Sequence, residues 1–117
     1  MTTPITQANI QTAVNAWVAD PTAAEATYGH IKDWDTSAVT KMSSLFSGKT
    51  TFNDNISGWD TSAVTQMNYM FYNATAFNQP LAAWDVSKVE TMEGMFSDAR
   101  AFDQPLADWD VSKLKKM

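Results

Sequence analysis

The chain has 117 residues, enough for one domain, and its 44% hydrophobic and 18% charged residues are ordinary for a soluble globular protein. Its net charge of −5 argues against a nucleic-acid partner, because phosphate binding needs clustered Lys and Arg. The sequence has no cysteine, no apolar run near the roughly 20 residues of a membrane helix, and no visible signal peptide. Disulfides, thiolate metal sites and a membrane span are therefore not expected.

Residues 1–33 precede a repeat and are predicted to form an N-terminal helical cap. Thr6 is a candidate N-cap residue for a first helix. The apolar stripe of that helix has helical spacing and comprises Ile10, Ala13, Val14, Trp17 and Val18. Asp20 and Pro21 predict the end of this helix and the start of a second, which Gly29 would stop. Two such helices would cover the apolar face of the first repeat.

A Trp-Asp pair recurs every 25 residues from position 34 onwards, and this constant period indicates stacked repeats. The four pairs are Trp34-Asp35, Trp59-Asp60, Trp84-Asp85 and Trp109-Asp110. Val, Met, Phe and Ile/Leu columns keep the same period and exchange apolar only for apolar residues. We predict a single domain over residues 1–117, and its parts are the cap 1–33, full repeats 34–58, 59–83 and 84–108, and a partial fourth repeat 109–117.

Each repeat is predicted to contain one short strand and one helix. In the third repeat, a strand near 83–87 would point Trp84 and Val86 inward. Ser87 and Glu90 have the spacing of a capping box at the start of a helix about ten residues long. One face of this helix would carry Val89, Met92, Met95 and Phe96. The predicted fold class is α/β, a leucine-rich-repeat-like solenoid with 25 residues per turn, each turn a short parallel strand plus a helix.

One long stretch of the third repeat carries a family resemblance. It reads Phe77-Asn-Gln-Pro-Leu-Ala-Ala-Trp-Asp-Val-Ser-Lys-Val-Glu-Thr-Met-Glu-Gly-Met-Phe96. It resembles the repeat of BspA-type leucine-rich-repeat surface proteins, a mycoplasma- and protist-type repeat domain of unknown function, over residues 31–117. The resemblance implies a leucine-rich-repeat-like solenoid, an extracellular or cell-surface location, and roles in adhesion and protein binding. It brings no catalytic motif.

The aspartates of the Trp-Asp pairs are the sharpest chemical feature. We call Asp35, Asp60, Asp85 and Asp110 the Asp ladder; Asp33 and Asp108 lie beside it in sequence. Stacked carboxylates about 4.8 Å apart would repel each other by roughly 1 kcal/mol in water. The structural interpretation is that each accepts the backbone N–H two residues on, at the start of its helix. The functional alternative is an exposed binding strip for Ca²⁺ or a basic partner. No other cofactor or metal is predicted.

The aromatic and methionine columns are predicted to form the core, because their spacing turns them inward. Two functional alternatives stay open at this stage. The Met and Phe columns are also suited to an adaptable binding groove. Stacked indoles near an edge are suited to a carbohydrate platform.

The fourth Trp-Asp pair is followed by no further turn in this sequence. Core columns are repeated there by Trp109, Val111, Leu114 and Met117. An uncovered repeat end exposes apolar surface and unpaired backbone. Three interpretations are open: a fragment of a longer array, a short protein with a charged last turn, or an interface for a second copy. We predict self-association through these residues.

Two functional hypotheses follow. The first is a non-catalytic surface-protein repeat module that binds a protein or glycan partner through many weak repeated contacts. The second is a structural unit that associates end to end through its C-terminal turn. An enzyme is not predicted, because no polar constellation interrupts the repeat.

Overall fold

The computed structural model describes residues 2–115 and contains helices only at its start. Helix α1 spans Ile10–Ala19, helix α2 spans Pro21–Tyr28, and a single 3-10 turn spans Ile31–Asp33. Across 34–115 the chain runs through tight turns, and its backbone pairs from one repeat to the next.

Helix α1 buries the stripe that the sequence predicts. Ile10, Ala13, Val14 and Trp17 are buried, and Val18 is half-buried. The predicted N-cap residue of this helix is wrong. Asn9 occupies the N-cap position, and its side chain makes no capping hydrogen bond. The Thr6 hydroxyl instead accepts the N–H of Asn9 at 3.2 Å, so Thr6 starts a turn ahead of the helix.

Helix α2 begins and ends where the sequence predicts. Asp20 caps it by accepting the N–H of Ala23 at 3.3 Å, and Pro21 fills the first position, where a missing N–H costs nothing. Gly29 ends the helix with a φ of 81°, a conformation that glycine adopts without strain.

Two glutamine side chains join the cap to the first repeat. The Gln7 amide oxygen accepts the N–H groups of Thr40 and Lys41 at 3.0 and 2.9 Å, and its nitrogen donates to the Lys41 carbonyl at 3.0 Å. Gln11 donates to the Leu45 carbonyl at 3.1 Å. In later repeats the equivalent groups bond to the backbone of the preceding repeat. The two amides therefore bond to the backbone of the first repeat as a preceding repeat would.

The predicted α/β leucine-rich-repeat-like solenoid is wrong. Neither the strand near 83–87 nor the helix after Ser87 is present. In the described range the sheet-like pairing is confined to two isolated parallel bridges, one from Lys41 to Gln66 and one from Gln66 to Thr91.

Backbone hydrogen bonding explains why the predicted helix does not form. Some N–H groups bond three residues back, as Met95 does to the Met92 carbonyl at 3.0 Å. Others bond to the next repeat, as Phe71 does to the Met95 carbonyl at 2.9 Å. In addition, each repeat has two left-handed residues four positions apart, which a right-handed helix does not accommodate. These residues are Ser44 and Gly48, Tyr69 and Asn73, and Gly94 and Asp98.

The apolar columns form the core, as predicted. Phe46, Phe71 and Phe96 stack with ring centroids 5.4 and 5.6 Å apart. The indole N–H groups of Trp59 and Trp84 donate to the carbonyls of Ile31 and Ile56, 28 residues earlier in the chain, at 2.8 and 3.0 Å. Because Trp34, Trp59 and Trp84 are buried, the core interpretation of the Trp column is confirmed over its indole-platform alternative.

Candidate functional site

The Asp ladder has one local geometry, repeated. The Oδ1 atoms of Asp35, Asp60 and Asp85 each accept the N–H of the serine two residues on, at 2.9 to 3.0 Å. The same atoms accept the hydroxyls of these serines at 2.6 Å. Asp110 accepts the N–H of Ser112 at 3.0 Å. The structural interpretation is confirmed, except that each aspartate stabilises a tight turn and not a helix. The capping box of Ser87 and Glu90 is wrong for the same reason.

These bonds outweigh the repulsion along the Asp ladder. The Ser62 hydroxyl, and after it the Ser62 N–H, lowers the pKa of Asp60. The charges of Asp35 and Asp85 raise that pKa by a smaller amount. Equivalent bonds from their own serines lower the pKa values of Asp35 and Asp85. The ladder therefore stays ionised at neutral pH without needing a cation to neutralise it.

Ser62→Ala is expected to raise the pKa of Asp60, because it removes the hydrogen bond that lowers it most. A carboxyl whose pKa is lowered in the folded state contributes stability above its unfolded pKa of about 3.9, and this contribution is lost as the pH falls through the folded pKa. The variant should therefore lose less stability on acidification. NMR titration of the carboxyl carbon measures the pKa. Ser57→Ala is the control, since the Ser57 N–H bonds to Asn55 and not to a carboxylate. An unchanged Asp60 pKa in Ser62→Ala would contradict the assignment.

Asp33 and Asp108, the two aspartates beside the Asp ladder, lie in different surroundings. Asp33 ends the 3-10 turn and borders, with Asp35, a surface cavity of about 270 Å³. Asp108 is exposed in the turn before Trp109. Within residues 2–115 there is no group of three or more His, Cys, Asp or Glu side chains placed to hold a metal ion. Binding of Ca²⁺ or a basic partner along the ladder stays a prediction.

The predicted self-association residues lie at an uncovered apolar surface. We define the C-terminal end face as the wall of an open cavity of about 580 Å³ whose apolar side chains include Met95, Phe96, Leu106, Trp109, Val111 and Leu114. Phe96, Leu106 and Trp109 are half-buried, whereas their counterparts one repeat earlier, Phe71, Leu81 and Trp84, are buried. Val111 is 43% exposed and Val86 only 2%. Met117, the fourth predicted residue, lies outside the described residues.

The same face presents backbone donors. Ser44, Phe46 and Gly48 donate their N–H groups to the second repeat, and Tyr69, Phe71 and Asn73 donate theirs to the third. Their counterparts in the third repeat are Gly94, Phe96 and Asp98. For these three N–H groups, the part of the chain described here supplies no backbone acceptor. The C-terminal end face therefore combines apolar side chains with donors that pair in the earlier repeats.

A second surface feature is not found by the sequence reasoning. Tyr69 and Tyr72 are 39% and 37% exposed, and their ring centroids are 5.9 Å apart at an angle of 40°. We call them the tyrosine pair. The corresponding positions are Ser44 and Ser47 in the first repeat and Gly94 and Ser97 in the third. The signal was an aromatic residue in two columns that otherwise hold small ones, and it was overlooked because those columns vary.

Tyr69 has a built seat in the next repeat. Its ring lies over Gly94, where an added Cβ atom would come within 2.6 Å of the Tyr69 Cδ1 atom. Tyr69 itself has a φ of 59°, which is uncommon for a bulky residue and is accommodated because the neighbouring repeats hold the same turn. The Tyr69 ring is thus held against the next repeat.

Fold and surfaces together define a class: a repeat protein whose 25-residue units stack through backbone bonds and aromatic columns behind a helical cap. The sequence profile of a family described as "Mycoplasma protein of unknown function, DUF285" matches residues 11–117, and the chain belongs to this family. No curated protein and no solved structure matches the chain. The predicted resemblance is therefore confirmed at the level of a mycoplasma family of unknown function.

Neither helix meets the requirements of a membrane span. Within residues 2–115, no helix is long and apolar enough to cross a bilayer.

Proposed function

We propose that the chain is a non-catalytic interaction module whose C-terminal end face binds a second copy of the same chain. The observation that carries this proposal is the exposure of apolar side chains there that are buried in the preceding repeat. Large exposed apolar patches on soluble proteins mark interaction surfaces. An apolar centre beside polar side chains, here Ser97, is the usual anatomy of a protein interface.

The opposite end of the stack favours a closed pair. Helix α1, Gln7 and Gln11 occupy the N-terminal end and satisfy the backbone groups that a preceding repeat would bond. Head-to-tail stacking would have to displace this cap. Two C-terminal end faces can instead meet about a two-fold axis, and such an isologous contact stops at a dimer. The end-to-end association predicted from the sequence is therefore proposed as a dimer and not as a rod.

Val111→Asp is expected to abolish dimer formation, because it places a charge in the centre of the apolar face. Since Val111 is 43% exposed, the substitution leaves the core intact. Sedimentation velocity at protein concentrations around 100 µM, the range of a moderate interface, measures the effect. Tyr72→Asp is the matched control, an equally drastic change at a similarly exposed position away from the end face. A monomeric wild-type chain, or equal dimerisation of both variants, would refute the proposal.

A surface-exposed adhesion role is a second proposed function. It is supported by the resemblance of Phe77–Phe96 to the BspA-type repeat and by the tyrosine pair, which interrupts an otherwise regular surface. A non-catalytic role fits the use of the recurring polar side chains, since the Asp ladder and its serines bond within their own turns.

A further inference from the structure

We propose that the tyrosine pair is a binding platform for one pyranose ring of a neutral oligosaccharide. The inference rests on the proposed non-catalytic interaction role and gives it a ligand class, but it uses two side chains that do not line the cavity of the C-terminal end face. Tyr69 and Tyr72 offer aromatic faces with polar hydroxyl tips, and such rings contact the apolar face of a sugar while they hydrogen-bond its edge.

The size of the exposed apolar area favours a small ligand. Within residues 2–115, the exposed large hydrophobic side chains are Tyr69, Tyr72 and Val111, and Val111 lines the C-terminal end face. A standard protein interface buries about 800 Å² per partner and has an apolar core formed by several residues. Two partly exposed tyrosines are too few for that core, but two aromatic rings are enough to contact one sugar ring.

Asn68, the residue before Tyr69 in the chain, has a side chain held in a fixed position. The Asn68 amide oxygen accepts the Ser43 hydroxyl at 2.7 Å and the Thr91 hydroxyl at 3.2 Å. These two bonds span three successive repeats and fix the orientation of the amide. They engage its oxygen, so its –NH₂ group remains a potential donor. Pre-oriented donors next to an aromatic face reduce the ordering cost of binding a hydroxyl-rich ligand.

Charge favours a neutral sugar over an acidic one. The tyrosine pair lies next to the third repeat through the bond from the Tyr69 N–H to the Glu93 carbonyl, at 2.9 Å. Glu93 and Asp98 are exposed in that repeat, and the whole chain carries a net charge of −5. An anionic sugar would be repelled by this field.

The test is an NMR titration of the full chain with labelled tyrosine rings. The probes are maltotriose, cellotriose, chitotriose and mannotriose, with sialyllactose as the acidic comparison. We expect the ring signals of Tyr69 and Tyr72 to shift with at least one neutral trisaccharide, with a Kd on the order of 1 mM, as suits a single sugar ring. The signal of Tyr28 should not shift, since that ring packs in the cap against Trp34.

The double variant Tyr69→Ser with Tyr72→Ser separates a binding role from a structural one. It introduces the residues found at the equivalent positions Ser44 and Ser47, and Ser44 has the same backbone conformation as Tyr69, with a φ of 60° against 59°, so we expect the fold to be retained. Binding should weaken by about tenfold or more, as expected for the loss of two aromatic contacts. Val111→Asp should bind the sugar as the wild type does, which separates this inference from dimer formation.

Three results would overturn the inference. The first is the absence of ring shifts at about 10 mM of every neutral trisaccharide, well above the expected Kd. The second is unchanged affinity in the double serine variant. The third is a response of both rings to a random peptide library and to none of the sugars, which would make the tyrosine pair a protein-docking surface.

Discussion

Phe71→Ala is expected to lower the free energy of unfolding by about 3–5 kcal/mol, the range for removal of a buried phenylalanine ring. Phe71 is fully buried, and its ring is nearly parallel to those of Phe46 and Phe96, at interplanar angles of 2° and 3°. The Phe77 ring also stacks on the Phe71 ring, with ring centroids 4.3 Å apart. The truncation would leave a cavity between three repeats that cannot collapse without shifting the backbone bonds on either side.

Urea unfolding followed by circular dichroism measures this loss. Phe96→Ala is the matched control, since it removes the same ring from the same column at the half-buried end of the stack. The control should cost only about 1–2 kcal/mol, because solvent already reaches one side of the ring. Equal losses in the two variants would mean that the repeats do not cover one another as described.

Gly94→Ala is expected to cost about 2–4 kcal/mol, through backbone strain of about 1–2 kcal/mol and through overlap with a neighbouring ring. Gly94 has a φ of 65°, where a side chain is strained. The added Cβ would also come within 2.6 Å of the Tyr69 Cδ1 atom. The Tyr69 ring must then leave its seat, so the variant should also disturb the tyrosine pair.

Two comparisons separate the strain from the overlap. Gly48→Ala has a similar φ of 73° and open space around its Cβ, so it reports the backbone contribution alone. Combining Gly94→Ala with Tyr69→Ser removes the ring that the added Cβ would overlap, so the stability lost through overlap should be regained. The expected coupling energy in a double-mutant cycle is about 1–2 kcal/mol. Equal losses for the two alanine variants and no coupling would show that Tyr69 does not occupy the place described.

The stacking order and the core were predictable from periodicity. A constant spacing of 25 residues places equivalent side chains on top of each other, whatever path the backbone takes within a repeat. For this reason the burial of the Trp, Val, Met and Phe columns was correctly predicted while the strand and helix within each repeat were not. The Asp–Ser turn was predictable because it involves neighbours two residues apart.

The path within a repeat was not predictable from apolar spacing alone. Val89, Met92 and Met95 are spaced by three, which fits one face of a helix and equally fits successive turns that close on the third residue. Left-handed residues decide between the two, and the sequence held a signal for them. Gly94 lies within the predicted helix, where glycine is unfavourable. Asp98 lies at the end of the predicted helix, and aspartate is a residue type that tolerates positive φ.

The surface features depended on contacts between residues distant in sequence. Gln7 and Lys41 are 34 positions apart, and nothing in the local sequence around Gln7 indicates this contact. Tyr69 is recognisable as a seated ring only when Gly94 is known to lie against it. A column whose residues vary can therefore be a surface that tolerates any residue, or a surface with a specific contact. Only the residues that lie against it in three dimensions distinguish these two cases.

The imitation of a preceding repeat by Gln7 and Gln11 has a consequence for how such proteins change in length. The cap offers the first repeat the same kinds of bonds that each repeat offers the next, so its fit does not depend on how many units follow. Duplication or loss of one 25-residue unit would leave the bonds between the cap and the first repeat unchanged. The number of repeats can thus change without any change in the contacts of the cap.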